Sequence, residues 1–263
     1  MKRSKSIFRK IFIPVSLILI LQILIFLGAI IGGGVIDNLR YYAGNELRER
    51  VSVRANELET QFSLKWTNLR GASDELHALL DDMDISTTQL MDDEELQKNF
   101  LGAAVDTLVR TLRQNGINGV FLILNSGEQS RPTGSEQHKK YGLGLRDLDP
   151  LSSYIDREDL LIQRAPSSLA VQIECPLDGT WEPYYSFTQD SYNDYFYQPV
   201  EAAYQNFGAQ ESDLAYLSAP HRLSASDPET VSYSIPLLDK DGKPFAVLGI
   251  ELTTAPRSRR AAV

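Results

Sequence analysis

Cysteine is nearly missing from this chain. Cys175 is the only one in 263 residues, so no internal disulfide can form and any folded domain must be held by core packing. Histidine is scarce too: His77, His138 and His221 lie far apart, without H-E-x-x-H or x-x-H spacing, which leaves no zinc motif. The absence of G-x-S-x-G removes the usual serine-hydrolase elbow. Positive charge is thin. Between Ile11 and Pro256, 18 Lys plus Arg stand against 35 Asp plus Glu, a net charge of −17 within an overall −9. Nucleic acid is therefore excluded as a partner, because a phosphate backbone needs a basic face. No cofactor-binding or metal-binding motif is found, and the chain reads as a non-enzyme.

The basic residues that remain are concentrated at the ends. Lys2, Arg3, Lys5, Arg9 and Lys10 precede a run from Ile11 to Ile36 without a charged residue. At about 1.5 Å per residue this run can cross a hydrocarbon core about 30 Å thick, and it exceeds the 7 to 15 residues of a signal-peptide core. The expectation is a transmembrane helix over 11–36, with residues 1–10 cytoplasmic and the rest outside the cell membrane, by the positive-inside rule. Membrane lipid is thus the first expected partner.

From Leu47 an apolar or small stripe recurs in steps of three and four: Val51, Ala55, Leu58, Phe62, Trp66, Leu69, Ser73, Leu76, Leu80. That is helical spacing, and it predicts a long stalk helix over 37–84. Such a stripe can pack on the chain's own sheet or form a seam with a second copy, so a homodimer through the stalk is an open expectation. Asp92, Asp93, Glu94 and Glu95 could be read as a metal cluster, but they precede Leu96, Phe100, Ala104, Leu108 and Leu112, and negative charge suits a helix start. Asn115 and Gly116 stop that helix.

Gly119 to Asn125 (GVFLILN) suits a buried strand. Arg131 to Pro166 reads as polar loop with a short apolar patch at Asp159 to Gln163, Leu169 to Ile173 as a second strand, and Trp181 to Phe187 as a third. Tyr192 to Gln205 predicts an aromatic-rich helix interrupted near Pro199. Asp213 to Leu223 follows as a strand. Thr230 to Leu252 is the clearest signal, two β-branched apolar runs flanking Asp239, Lys240, Asp241 and Gly242, a hairpin turn. Its start is calcium-loop-like, but Lys243 stands where a third ligand belongs. The order of elements predicts an α+β fold with one antiparallel sheet.

The anchor and stalk, the segment DYFYQPVEAA (Asp194 to Ala203) and the hairpin YSIPLLDKDGKPFAVLGIEL together resemble the extracytoplasmic sensors of the Cache family, in their double Cache form. The resemblance implies a PAS-like sheet over 85–254 forming the membrane-distal subdomain, a small-molecule ligand and a signal-transduction role, most like the input half of a membrane diguanylate cyclase. Chemoreceptors and histidine kinases share such front halves. No GGDEF signature, kinase phosphate loop or chemoreceptor hairpin occurs, and the ending TTAPRSRRAAV suggests a receptor cut after its first subdomain, with 255–263 an unstructured basic tail. Amino-acid-sensing relatives hold the ligand with an Arg, an aromatic pair, a later aromatic and an Asp. Here Phe196 and Tyr197 match the pair, Tyr216 the later aromatic, and Asp194 stands where the Arg would be. The expected ligand site is Trp181, Tyr184, Tyr185, Asp194, Phe196, Tyr197, Tyr216 and Tyr233. Without the Arg, an amino-acid ligand loses its charge-assisted anchor.

Overall fold

The computed structural model describes residues 7–32, 35–148, 159–173, 175–222 and 227–253, with side chains at 7–11, 29–32, 35–40, 43, 51 and 54–68 outside the description. The expected cytoplasmic segment (all but 7–10) and basic tail, and the turn residues Asp149 and Pro150, also lie outside it. The chain divides into two units, Met1–Phe62 and Ser63–Val263.

The first unit is helical. α1 spans Ile7–Gly32, and α2 begins at Val35 and runs to Asp82. The expected span of 11–36 falls on both helices, 11–32 in α1 and 35–36 in α2, with residues 33–34 outside the description. Among the described residues no helix is long and apolar enough to cross a membrane. Side chains are described in α1 only from Phe12 to Gly28, fewer than the roughly 20 residues a span takes. Within that stretch Phe12, Leu17, Ile18, Ile23, Ile25 and Phe26 are all about half or more exposed, so no single face carries the apolar residues. On α2, Leu47 is exposed, while Val51, Ala55, Leu58, Phe62 and Trp66 fall outside the description.

The second unit is mixed α and β, built on a seven-stranded sheet in the order β5-β4-β3-β1-β9-β8-β7. Its strands are β1 (Gly119–Leu124), β3 (Gly142–Asp147), β4 (Leu160–Arg164), β5 (Leu177–Glu182), β7 (Tyr216–Leu217), β8 (Thr230–Leu238) and β9 (Pro244–Thr253). All neighbours are antiparallel except β4 and β5. β2 (Gln137–Lys140) and β6 (Tyr185–Thr188) form a separate two-stranded ribbon. In the β8–β9 turn Gly242 takes φ 79°, and Asp239 Oδ1 accepts from the amides of Asp241 and Lys243.

One sheet face carries the larger core. Leu143, Leu145, Ile235, Leu237, Leu248 and Ile250 meet α4 (Glu94–Asn115) through Phe100, Leu101, Leu108 and Leu112, and the end of α2 through Leu69, Ala72, Leu76 and Leu80. The last part of the stalk stripe therefore packs on its own sheet. Asp93 caps α4, accepting from the amides of Glu95 and Leu96, and Gly116 closes it in the left-handed conformation at φ 54°. The acidic cluster is thus a helix start. A short helix, α3 (Thr87–Asp92), precedes it on a capping box between Ser86 and Gln89.

Several expected elements differ. Leu169 to Ile173 is not a strand but the greater part of helix α5 (Ser167–Gln172): Leu169, Ala170 and Ile173 are buried while Val171 is 80% exposed, which is helical and not alternating spacing. Trp181 to Phe187 is split between β5 and β6, and within the described part of the expected Asp213 to Leu223 strand β7 follows a 3-10 turn, η1 (Glu211–Leu214), with Leu223 outside the described residues. The helix α6 (Asp194–Gln205) continues through Pro199. Pro199 has no N–H for the carbonyl of Tyr195, four residues back; the Ser234 hydroxyl on β8 donates to it at 2.6 Å.

Candidate functional site

The opposite sheet face is aromatic. Phe121, Ile123 and Val247 point to it, and Tyr185, Phe187, Tyr195, Phe196, Tyr197 and Val200 close over them from β6 and α6. Glycine makes room: a Cβ on Gly142 or Gly144 would collide with the Tyr185 ring, and one on Gly249 would lie 2.1 Å from Phe121 Cζ.

Phe196 and Tyr197 are fully buried and already occupied. Lys140 Nζ sits 5.5 Å over Phe196 and donates to the carbonyls of Ser126, at 2.8 Å, and Glu128. Its pKa falls to about 8 because burial penalises the charge. Arg131 lies 5.4 Å over Tyr197 and bonds Glu201 at 2.6 Å, Asp194 at 2.7 Å and Asn193 at 3.1 Å. Asp194 thus binds the chain's own guanidinium. The two cations fill the aromatic pair from within.

Open space on this face lies further along. A cleft of about 380 Å³ is floored by Tyr185, Phe187 and Tyr195, walled by Tyr192, Ser191 and Asp190, and rimmed by Arg164, Glu182 and Arg222. The wall is a turn in which Thr188 and Ser191 exchange side-chain-to-amide bonds of 2.9 and 3.2 Å. Arg164, buried at the end of β4, is oriented by Nη1 donation to the carbonyls of Gln163 and Thr180, both at 2.7 Å. Arg222 Nη1 donates to the Asp227 carbonyl at 3.0 Å, and its side chain is exposed.

Behind the wall His221 is buried against Tyr192, 4.4 Å between ring centres, and Tyr195, 5.4 Å. Burial lowers its pKa against the pull of the Ala219 carbonyl, which favours the neutral ring; Nδ1 faces that carbonyl at 3.0 Å and Nε2 the Ser232 hydroxyl at 3.3 Å. Ser232 is fully buried, which leaves this Ser–His pair without access to a substrate. Below it, on the same sheet face, Arg146 is paired with Asp178 at 2.8 Å and Asp227 at 3.0 Å. Glu251 is buried beside them, and desolvation pushes its pKa up to about 7 against the pull of Arg146 and Arg164.

Of the expected ligand residues only Tyr185 lines this cleft. Trp181 packs towards the other core with Nε1 buried and without a partner, and Tyr184 packs edge-on against Tyr141 at 5.1 Å. Tyr233 is in phase with Ile235 and Leu237 and belongs to the core on the α2 side. That phase is readable in the sequence as an alternation of two. Tyr216 is half-buried with its hydroxyl 3.4 Å from that of Tyr192 and lines a separate cleft. Tyr192, Tyr195, Arg164 and Arg222 were not singled out by the sequence; the aromatic density of 192–197 pointed to the first two, and nothing local pointed to the arginines. Among the described residues no group of three His, Cys, Asp or Glu side chains could hold a metal ion.

No family model matches the chain, and no curated protein does. Solved structures with a similar arrangement include the periplasmic sensory domain of the Campylobacter jejuni chemoreceptor Tlp1, 16% identical, covering 75% of this chain and 57% of that one, TM-score 0.38. A second is the sensory domain of the C. jejuni chemoreceptor Tlp3 with isoleucine bound, 13% identical, covering 74% and 60%, TM-score 0.31. The extracellular domain of soHK1S-Z6, described as a histidine kinase, is 12% identical over 72% and 56%, TM-score 0.31. All three are sensory or extracellular domains, and the chain spans less than two thirds of each.

Proposed function

We propose that this chain is the extracytoplasmic small-molecule-sensing part of a membrane signal-transduction receptor. The observation that carries the reading is the cleft behind β6 and α6: about 380 Å³, with an aromatic floor, the exposed Arg222 at its rim and the buried Arg164 in its lining. A concave space in which polar groups converge over an aromatic floor is what a small, partly polar ligand needs. Arg222 and Arg164 favour a ligand with an anionic group, and Glu182 and Asp190 in the same lining favour one that also carries a donor or cationic group. The residues that hold it are Tyr185, Tyr192 and Tyr195 as stacking surfaces, with the arginines and Ser191 supplying polar contacts.

The charge-free run 11–36 and the five basic residues before it support α1 as the membrane anchor, with the N-terminus in the cytoplasm. An apolar helix with no polar face is suited to lipid. The stalk stripe supports a homodimer through the first part of α2, and the sequence resemblance favours a diguanylate cyclase as the output, ahead of a chemoreceptor or kinase. A non-signalling anchored binding protein is the second reading, favoured by the chain's own Arg131 and Lys140 standing over the aromatic pair. The test is a thermal-shift screen of the full chain in detergent against small metabolites: a compound that raises Tm in proportion to its concentration supports the site. A flat screen across carboxylates, amines and nucleosides removes it.

A further inference from the structure

The end of α2 is tied to the sheet through one carboxylate. Glu211, in η1, accepts from His77 Nε2 at 2.8 Å and from the Leu238 amide at 2.7 Å on one oxygen, and from the Ser73 hydroxyl on the other. Three elements, α2, η1 and β8, thereby meet on a single side chain. The Leu238 amide is free to be there because the β8–β9 register slips between Leu237 and Leu238, which takes that N–H off the ladder. Around this node the packing is open. A cleft of about 230 Å³ lies on one side of α2, between Arg70, Asp74, Gln210 and Tyr233. On the other side a cleft of about 490 Å³ lies between His77, Thr87 and the Asp239–Asp241 turn, bridged at the surface by Lys240 and Asp81 at 3.1 Å. Among the described residues, beyond its apolar contacts through Leu69, Leu76 and Leu80, this stretch of α2 is tied to the η1–β8 edge by the part-buried Glu211 contacts, with a solvent-exposed Lys240–Asp81 pair at 3.1 Å reaching the turn after β8.

We propose that the Ser73–His77–Glu211 contact is a proton-sensitive latch that holds helix α2 against the sheet edge when His77 is charged and loosens when it is neutral. His77 faces Glu211 from η1, Asp74 and Asp81 from its own helix, the ring of Phe245 from β9 at 5.6 Å, and the Asp239, Lys240 and Asp241 side chains across the larger cleft. The bond to Glu211 raises the pKa of His77 above 6.5, burial opposes this, and the neighbouring carboxylates add to the rise. For Glu211 burial raises the pKa, and the bonds from His77, Ser73 and the Leu238 amide outweigh it, leaving a net fall below 4.5. A base with a raised pKa adds stability that is full below 6.5 and lost as pH climbs through the raised value. An acid with a lowered pKa adds stability that is full above 4.5 and lost as pH falls through the lowered value. The latch is therefore tightest in the mildly acidic window between the two. Its position gives it a use: η1 follows α6 within six residues, and the first turn of α6 floors the ligand cleft. What the latch would gate rests on the sensing reading, but the latch itself does not, and its test contains no ligand.

The experiment is a pH titration of the His77 ring signals by NMR in the full chain, with His138→Gln and His221→Gln for assignment. A second readout is the distance between spin labels on Asp82→Cys and Gln205→Cys in a Cys175→Ser background, measured at about pH 5 and about pH 8. His77 titrating above 6.5, dropping in Glu211→Gln, with a label distance that broadens at the higher pH and is pH-independent in His77→Gln, supports the latch. His77 titrating at or below 6.5, or the same distance distribution at both pH values in the unmodified latch, overturns it. Should Glu211→Gln fail to fold, the titration and distances without that substitution decide alone.

Discussion

Glu251 offers the sharpest quantitative test of the packing on the cleft face. Its carboxyl is 5% exposed on β9, and burial raises its pKa from 4.5 to about 7. A carboxyl that holds its proton more tightly folded than unfolded gives stability that is full below the unfolded value and lost as pH rises to the folded one. Between those limits the loss is about 3 kcal/mol, at about 1.4 kcal/mol for each unit. Glu251→Gln keeps the shape and removes the titration. Near pH 5 the variant and the parent should be equally stable; at about pH 8 the variant should be more stable by about 3 kcal/mol, or about 6 to 12 °C in Tm for a unit of this size. Thermal melts and urea unfolding at four pH values would measure it. Parallel curves for the two proteins, or a variant less stable at the higher pH, would refute the assignment of a buried carboxyl whose desolvation outweighs the pull of Arg146 and Arg164.

Other perturbations follow from the same face. Gly249→Ala places a methyl 2.1 Å from Phe121 Cζ, where Tyr195 and Tyr185 hem the ring in, and should cost about 1 to 3 kcal/mol by overpacking; an unchanged melt would contradict the close approach. Arg131→Ala removes the tie between α6 and the segment after β1; with a side chain 32% exposed the loss should be about 1 to 2 kcal/mol, falling with added salt, read by urea unfolding at two ionic strengths. Protease added to intact cells should digest the sheet unit, whereas complete protection would place it on the wrong side of the membrane.

Strongly periodic parts of the chain were legible before the structure. The α4 repeat, the Asp93 start, the Gly116 stop and the β8–β9 hairpin stand where their patterns put them, because each is set by local chemistry: a cap, a left-handed glycine, an alternation of two. The β2 and β3 strands were hidden. In Gly142–Asp147 the glycines at 142 and 144 carry no strand signal, yet they are there because the Tyr185 ring, far along the chain, occupies their side-chain space. Leu169 to Ile173 was ambiguous as a short apolar run, and the exposed Val171 decides it. The candidate site was legible as an aromatic region but not as a cavity. Whether Phe196 and Tyr197 face a ligand or a protein cation depends on Arg131 and Lys140, more than 50 residues earlier, and no spacing rule links them. A stripe that packs one end of α2 on the sheet looks the same in sequence along its whole length.

The central claim is that a small molecule is received between Tyr185, Tyr192, Tyr195 and the two arginines. Calorimetric titration of a compound found by the screen into Arg222→Ala and, separately, Arg131→Ala addresses it most directly. Arg222 touches the cleft and Arg131 does not, so the account predicts affinity weakened tenfold or more, about 1.4 kcal/mol, in the first and little changed in the second. Retained affinity in Arg222→Ala together with lost affinity in Arg131→Ala would put the ligand among Phe196 and Tyr197 and contradict the account.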